Sequence, residues 1–169
     1  LNCPTQDKVT CSFEFMGMSG SEGTSGISGA TYVAAPTTDI IYNSSSNASR
    51  ISEGGSVLAM PNGVTEFSLN ITNNLRELTT VGYSEAQGIG TGQCAVTGNL
   101  TTYFGSLAIY TKAKALTTTS ANLILTNSTK AYVFTLPRIQ LDAPRPNAGG
   151  LNQDVTVNAT INAAEDSTT

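Results

Sequence analysis

Histidine and tryptophan are absent from the 169 residues. Without histidine there can be no Ser-His-Asp triad, no Cys-His pair and no His-ligated zinc, so the commonest general base and the commonest metal ligand are excluded together. Charge is scarce too. Asp, Glu, Lys and Arg make up 12% of the chain, about half the usual share. A net charge of −4 and a pI near 4.6 supply no basic footprint for gripping nucleic acid. No apolar run approaches the roughly 20 residues of a membrane-spanning helix, and the composition predicts a soluble chain with no membrane partner. Cysteine is limited to Cys3, Cys11 and Cys94, an odd number at unrelated spacings that fits neither a disulfide framework nor a four-cysteine zinc site. Free thiols are expected, with Cys11 and Cys94 at inward strand positions. No cofactor and no metal is implied.

Hydroxyl and amide groups are abundant instead. Ser and Thr number 42, with 14 Asn and 16 Gly besides. Such a surface suits β-structure that meets other protein surfaces, because few charges must be desolvated when two faces come together. Hydrophobic residues reach 39%, enough for one core, and the length predicts a single domain over 1–169. The chain opens at Leu1 with no basic n-region and no apolar h-region, so it reads as a processed or truncated chain. Six N-x-[ST] sequons begin at Asn43, Asn47, Asn70, Asn99, Asn127 and Asn158. Three of them fall inside strand-like segments, against a glycosylation reading.

Alternation is the main local signal. Lys8–Met16 places Val9, Cys11, Phe13 and Phe15 on one face. In 64–72 Phe67, Leu69 and Ile71 oppose Glu66, Ser68, Asn70 and Thr72; in 93–104 Cys94, Val96, Leu100 and Phe104 oppose Thr97, Asn99 and Thr101. In 155–163 Val155, Val157, Ala159 and Ile161 oppose Thr156, Asn158, Thr160 and Asn162. Residues 31–35 and 40–42 are shorter strand candidates, and 121–126 with 131–136 flank Asn127–Lys130 as a hairpin. Polar loops are expected over 17–29 and 43–56, and a proline-punctuated one over Asp142–Leu151. A helix capped by Ser106 is expected over 107–116, with Leu107, Tyr110 and Lys114 on one stripe. Gly88-x-Gly90-x-Gly92 imitates a nucleotide loop, but the spacing is wrong and a strand follows in place of a helix. The pattern predicts a mainly β protein, an antiparallel sandwich or barrel with one short flanking α-helix.

TEFSLNITNNL (65–75), the Gly82 to Gly92 stretch running into CAVTGNLTTYF (94–104), and AYVFTLPRIQL (131–141) followed by NQDVTVNATINA (152–163) together resemble tail tube proteins of long-tailed bacteriophages, over roughly residues 56–164. The resemblance implies a structural, non-enzymatic subunit of the virion tail, assembled in the host cytoplasm. Homo-oligomeric rings of six-fold or pseudo-six-fold symmetry would stack into a hollow conduit for DNA, with other tail proteins at its ends. Some relatives carry two such domains in one chain, so this chain reads either as a one-domain subunit or as the C-terminal domain of a longer one. Six or three copies per ring both remain open.

Physical chemistry supports a tube independently. Strands that continue from neighbour to neighbour around a ring pair every edge, and symmetry limits growth. The faces carrying Glu66, Ser68, Asn70, Thr97, Asn99, Thr101, Thr156, Asn158, Thr160 and Asn162 are the lumen candidates, since a polar wall without cations gives passing DNA no foothold and no specific binding. Arg138, Asp142, Arg145 and Asn147 are candidates for contacts between rings, in and beside the 142–152 loop. A cell-surface or pilus-like binding module shares the composition, and an enzyme would have only Asp142, Asp154 and Glu165 to use.

Overall fold

The computed structural model describes residues 1–165 except Tyr32, Ala35, Asp39 and Ile40. The strand candidates at 31–35 and 40–42 thus fall partly outside the described residues; Tyr42 is not in a strand. Two compact units emerge. The first is built from Leu1–Ser12, Ile41–Ile71 and the chain from Ala95 onward; the second combines Phe13–Ile40 with Thr72–Cys94.

The first unit carries an eight-stranded sheet. Its strands are β1 (Asn2–Pro4), β2 (Ala48–Glu53), β3 (Ser56–Val57), β4 (Val64–Thr72), β7 (Ala95–Tyr103), β8 (Thr118–Thr126), β9 (Ala131–Ala148) and β10 (Val155–Ala163). They lie in the order β1-β4-β7-β10-β9-β8-β2-β3. The pairings of β1 with β4, β7 with β10, β10 with β9, β9 with β8, and β8 with β2 are all antiparallel. Leu123 and Leu125 of β8 share one buried cluster with Phe67, Leu69, Leu100, Val157, Ala159 and Ile161 from the far side of the sheet. A flat sheet cannot bring these strands together, so this one curls over a common core as a sandwich, its ends at β1 and β3 remaining unjoined. The mainly β, antiparallel expectation holds.

Most of the inward parity is as expected, with Phe67, Leu69, Leu100, Val157, Ala159 and Ile161 buried. Ile71 and Val155 are exposed instead, because they sit at strand ends beyond the buried cluster. The Lys8–Met16 strand does not form. Thr10 exchanges two hydrogen bonds with Asn2 and Val9 N–H donates to the Tyr42 carbonyl, after which pairing stops. Phe13 and Phe15 are left 76% and 89% exposed.

Of the expected loop over 43–56, residues 44–47 form a turn, whereas from Ala48 onward it is corrected to β2, a two-residue turn and β3. Gly54 and Gly55 both have positive φ (57° and 79°), the backbone a tight hairpin needs, and Glu53 pairs with Ser56 across them. The expected loop over Asp142–Leu151 is corrected as well, since β9 runs on to Ala148. Its register against β8 slips where Pro137 and Arg138 oppose Ser120, and against β10 where Ala143 and Pro144 oppose Ala159. Each is a bulge with two residues facing one. A proline at a bulge removes no ladder bond, which is how the strand passes through Pro137 and Pro144. At the β8–β9 turn, Asn127 Oδ1 accepts the Thr129 and Lys130 N–H groups and fixes the hairpin.

The one helix among the described residues, α1 (Ala108–Lys114), is shorter than expected and turned about its axis. Ile109 and Ala113, at i and i+4, are the buried pair, whereas Leu107 is exposed. Leu107 occupies the N-cap position without a side-chain bond of its own, and the Ser106 hydroxyl one residue earlier accepts the Ala108 N–H at 3.4 Å. From α1, Lys112 Nζ reaches both oxygens of the buried Glu53 at 2.9 and 2.8 Å, and the Thr119 hydroxyl donates to the same carboxylate. This pair ties the β2–β3 hairpin to the helix. Its net worth is specificity of docking more than stability, because desolvation offsets most of the attraction.

In the second unit β5 (Arg76–Leu78) and β6 (Gly88–Gly90) form an antiparallel hairpin, Arg76 opposite Gly90 and Leu78 opposite Gly88. The Gly88-x-Gly90 motif is therefore strand backbone. Residues 17–29 carry no helix or strand, as expected.

Two side chains lead to predictions. Thr102 is 1% exposed and its Oγ1 meets no hydrogen-bond partner among the described residues. Thr102→Val should raise stability by about 1 kcal/mol, since an unpaired buried hydroxyl costs about 1–3 kcal/mol; an unchanged urea midpoint would show that the hydroxyl is satisfied. The three thiols are free, but Cys3 is the buried one while Cys11 and Cys94 are exposed, reversing the expectation for those two because neither lies in a strand. Burial pushes the Cys3 thiol up from its ordinary value. At neutral pH, Cys11 and Cys94 should therefore titrate quickly with an aromatic disulfide reagent and Cys3 only after denaturant is added. Three equally fast thiols would contradict the placement of Cys3.

Candidate functional site

The sequence-predicted lumen residues converge on one surface. β4, β7 and β10 are neighbours in the sheet, so the sides of these strands that turn away from the core form one continuous face. Glu66, Ser68 and Asn70 stand on β4, Thr97, Asn99 and Thr101 on β7, and Thr156, Asn158, Thr160 and Asn162 on β10. Asn158 Nδ2 donates to Thr101 Oγ1 at 3.1 Å across the strands, and Thr160 stands opposite Asn99. The Ser68 hydroxyl accepts the Asn99 N–H at 3.2 Å, and Thr65 Oγ1 donates to the Thr101 carbonyl at 3.2 Å. Asn158 and Thr101 thus satisfy each other side chain to side chain, whereas Ser68 and Thr65 bond the backbone of β7.

Three of the four inter-ring candidates belong to the same face. β9 lies next to β10, with Asp142 opposite Thr160, Arg145 opposite Asn158 and Asn147 opposite Thr156. They are strand residues in register with the lumen candidates, not a loop apart from them. Arg138 is separate. It sits in the first bulge of β9, and its Nη1 donates to the Glu165 carbonyl at 3.1 Å.

Sequence reasoning missed Gln140, which pairs with Asn162 and extends the face between Arg138 and Asp142. The signal was present in Ile139-Gln140-Leu141-Asp142, where Ile139 and Leu141 are fully buried and the polar residues between them point out. Pro137, Pro144 and Pro146 hid it.

The assembled surface is four strands wide and made of hydroxyl and amide groups. Glu66, Asp142 and Arg145 are its charged members, so its local charge is close to balanced. Among the described residues, no group of three or more Cys, Asp or Glu stands close enough to hold a metal ion. No described helix is long and apolar enough to cross a membrane. A broad polar sheet face can line or cover a large surface.

A family model described as phage tail tube protein matches residues 1–163. No curated protein matches the chain.

Proposed function

The chain belongs to the phage tail tube protein family, a structural family with its place in the multimeric virion tail, and from that premise we propose that it is the repeating subunit of a hollow tube. Copies form rings of six-fold or pseudo-six-fold symmetry, and the rings stack into a conduit for DNA ejected at infection, in tails built in the host cytoplasm and finished by other tail proteins at the tube ends.

The observation that carries this reading is the continuous polar face of β4, β7, β10 and β9. Nine-residue strands at about 3.3 Å per residue span roughly 30 Å, a suitable height for one ring. Turned inward, the face offers DNA hydrogen-bonding water and almost no cation, so polyanion passes without being held. Asp142, Arg145 and Asn147 then line the lumen with their β10 partners, and Arg138 is left to face a neighbouring ring. Between rings the second unit supplies apolar groups, for Val81 and Tyr83 are exposed in the 79–87 connection of its hairpin.

Electron microscopy of the purified chain tests the tube, and lysines test the lumen. Asn158→Lys with Thr160→Lys should leave tubes intact but make them retain linear DNA, with binding that falls steeply as salt rises. Wild-type tubes should retain none. Persistent monomers at high concentration would count against the tube; lysine tubes that ignore DNA would place this face away from the lumen.

A further inference from the structure

We infer that the folded chain modifies itself at Asn62, turning the side-chain amide into a carboxylate, with the Gly63 backbone nitrogen as nucleophile and the Ser106 hydroxyl as proton donor to the departing nitrogen. The site stands outside the polar face and does not depend on the tube. Asn62-Gly63 is the one Asn-Gly pair in the sequence. It lies just before β4, at the end of a turn. Glycine matters here because it has no Cβ to hinder its own nitrogen from closing on the preceding side chain.

The local bonds favour attack. The Asn62 N–H closes the turn by donating to the Ala59 carbonyl at 2.9 Å, and the Gly63 carbonyl accepts the Tyr103 N–H at 2.9 Å. Between these anchors the Gly63 N–H makes no hydrogen bond among the described residues, so none has to break before it loses its proton. Asn62 is half-buried and its Nδ2 donates to Ser106 Oγ at 3.0 Å. Other asparagines are held by the opposite atom. Asn43 and Asn127, each followed by serine, use Oδ1 to accept backbone N–H groups of the turns they build, from Ser46 in one case and from Thr129 and Lys130 in the other. At Asn62 the bonded atom is the nitrogen that must leave.

The chemistry assigns Ser106 its part. Hydroxide takes the Gly63 amide proton, the nitrogen lone pair bonds to Asn62 Cγ, and the carbonyl π pair moves onto Oδ1. In the planar amide, Nδ2 can only donate to Ser106; in the tetrahedral adduct it gains a lone pair and can accept the hydroxyl proton. Oδ1 then re-forms its double bond, the Cγ–Nδ2 bond breaks and ammonia leaves, while Ser106 recovers a proton from water and regenerates hydroxide. Water opens the resulting cyclic imide at either carbonyl. The net change consumes one water, releases one ammonia and adds one negative charge. Opening at the backbone carbonyl leaves an isoaspartyl link, whose extra backbone methylene falls directly before the residue that anchors the Tyr103 N–H.

Full-length protein held for days at mildly alkaline pH, then digested with trypsin and mapped by tandem mass spectrometry, tests the inference. Asn62 should convert at least about tenfold faster than Asn127. Part of the product should accept a methyl group from S-adenosylmethionine through an isoaspartyl methyltransferase. Ser106→Ala should slow the folded chain about tenfold, less than a typical positioned acid because a serine hydroxyl is a weak one. Ser106→Thr should keep the wild-type rate, and in urea all three chains should convert alike. Asn62 converting no faster than Asn127 would overturn the site. A folded Ser106→Ala chain as fast as wild type or faster would show that the bond only restrains Asn62, and would overturn the proton donor. A Ser106→Thr chain as slow as Ser106→Ala, or a Ser106→Ala deficit that persists in urea, would overturn it as well.

Discussion

Gly98→Ala should destabilise the first unit by about 3 kcal/mol, at the upper end of what one extra methyl in a packed interior costs. β4 and β7 approach so closely at this point that a Cβ on Gly98 would overlap the Ser68 carbonyl oxygen, which is backbone and cannot swing aside. Gly98 is itself buried, and the Asn99 N–H next to it is satisfied by the Ser68 hydroxyl. Separating the strands to admit the methyl would lengthen that bond and loosen Leu69 and Leu100 from the cluster behind it. The urea midpoint should fall with the slope unchanged. Thr97→Ala, one residue away on the exposed face, is the control and should lie within about 0.5 kcal/mol of wild type. Equal midpoints for the two variants would mean that β4 and β7 can part without cost. The glycine matters to function because the polar face depends on these two strands lying side by side.

How far such features could be read in advance depended on which rule governed each segment. Period-two alternation located β4, β7 and β10 and picked out ten residues on their outward faces, because each strand has one side in the core and one in water; that these faces adjoin came from the strand order. The same rule failed at Cys11, Phe13 and Phe15. Periodicity reports what a segment is suited to bury, and among the described residues nothing buries this one, Phe13 and Phe15 being exposed. Composition misled over 43–56. Ser and Asn suggest a loop, but Glu53-Gly54-Gly55-Ser56 is a hairpin turn, and a double glycine between strand-length segments was its available signal. Proline misled over 142–148, where the bulges that accommodate it depend on register against β8 and β10, a long-range property. The helix stripe was misjudged for a related reason. Leu107 is more apolar than Ala113, yet β9 lies beneath the Ile109–Ala113 side, and packing decided which side was buried.

Deleting Ala143–Gly149 should abolish cooperative folding of the first unit, although a surface loop at this position would tolerate the loss. The segment supplies Arg145, Pro146, Asn147 and Ala148, the partners of Asn158, Val157, Thr156 and Val155. Without them, half of β10 loses one of its two neighbours, and Val157, now 2% exposed, loses cover. A central strand with one bare edge also leaves backbone groups to find water inside a sheet, at about 1–3 kcal/mol for each that stays unpaired. A few such groups consume the 5–15 kcal/mol typical of a whole domain. Arg145→Glu should behave differently, since the side chain is exposed and the ladder is untouched; a stability change within about 0.5 kcal/mol is expected. Calorimetry distinguishes the two outcomes. The deletion should show no cooperative melting peak and the substitution a nearly normal one; a sharp peak from the deletion would mean that β10 is held by β7 alone and that residues 143–149 are dispensable to the fold.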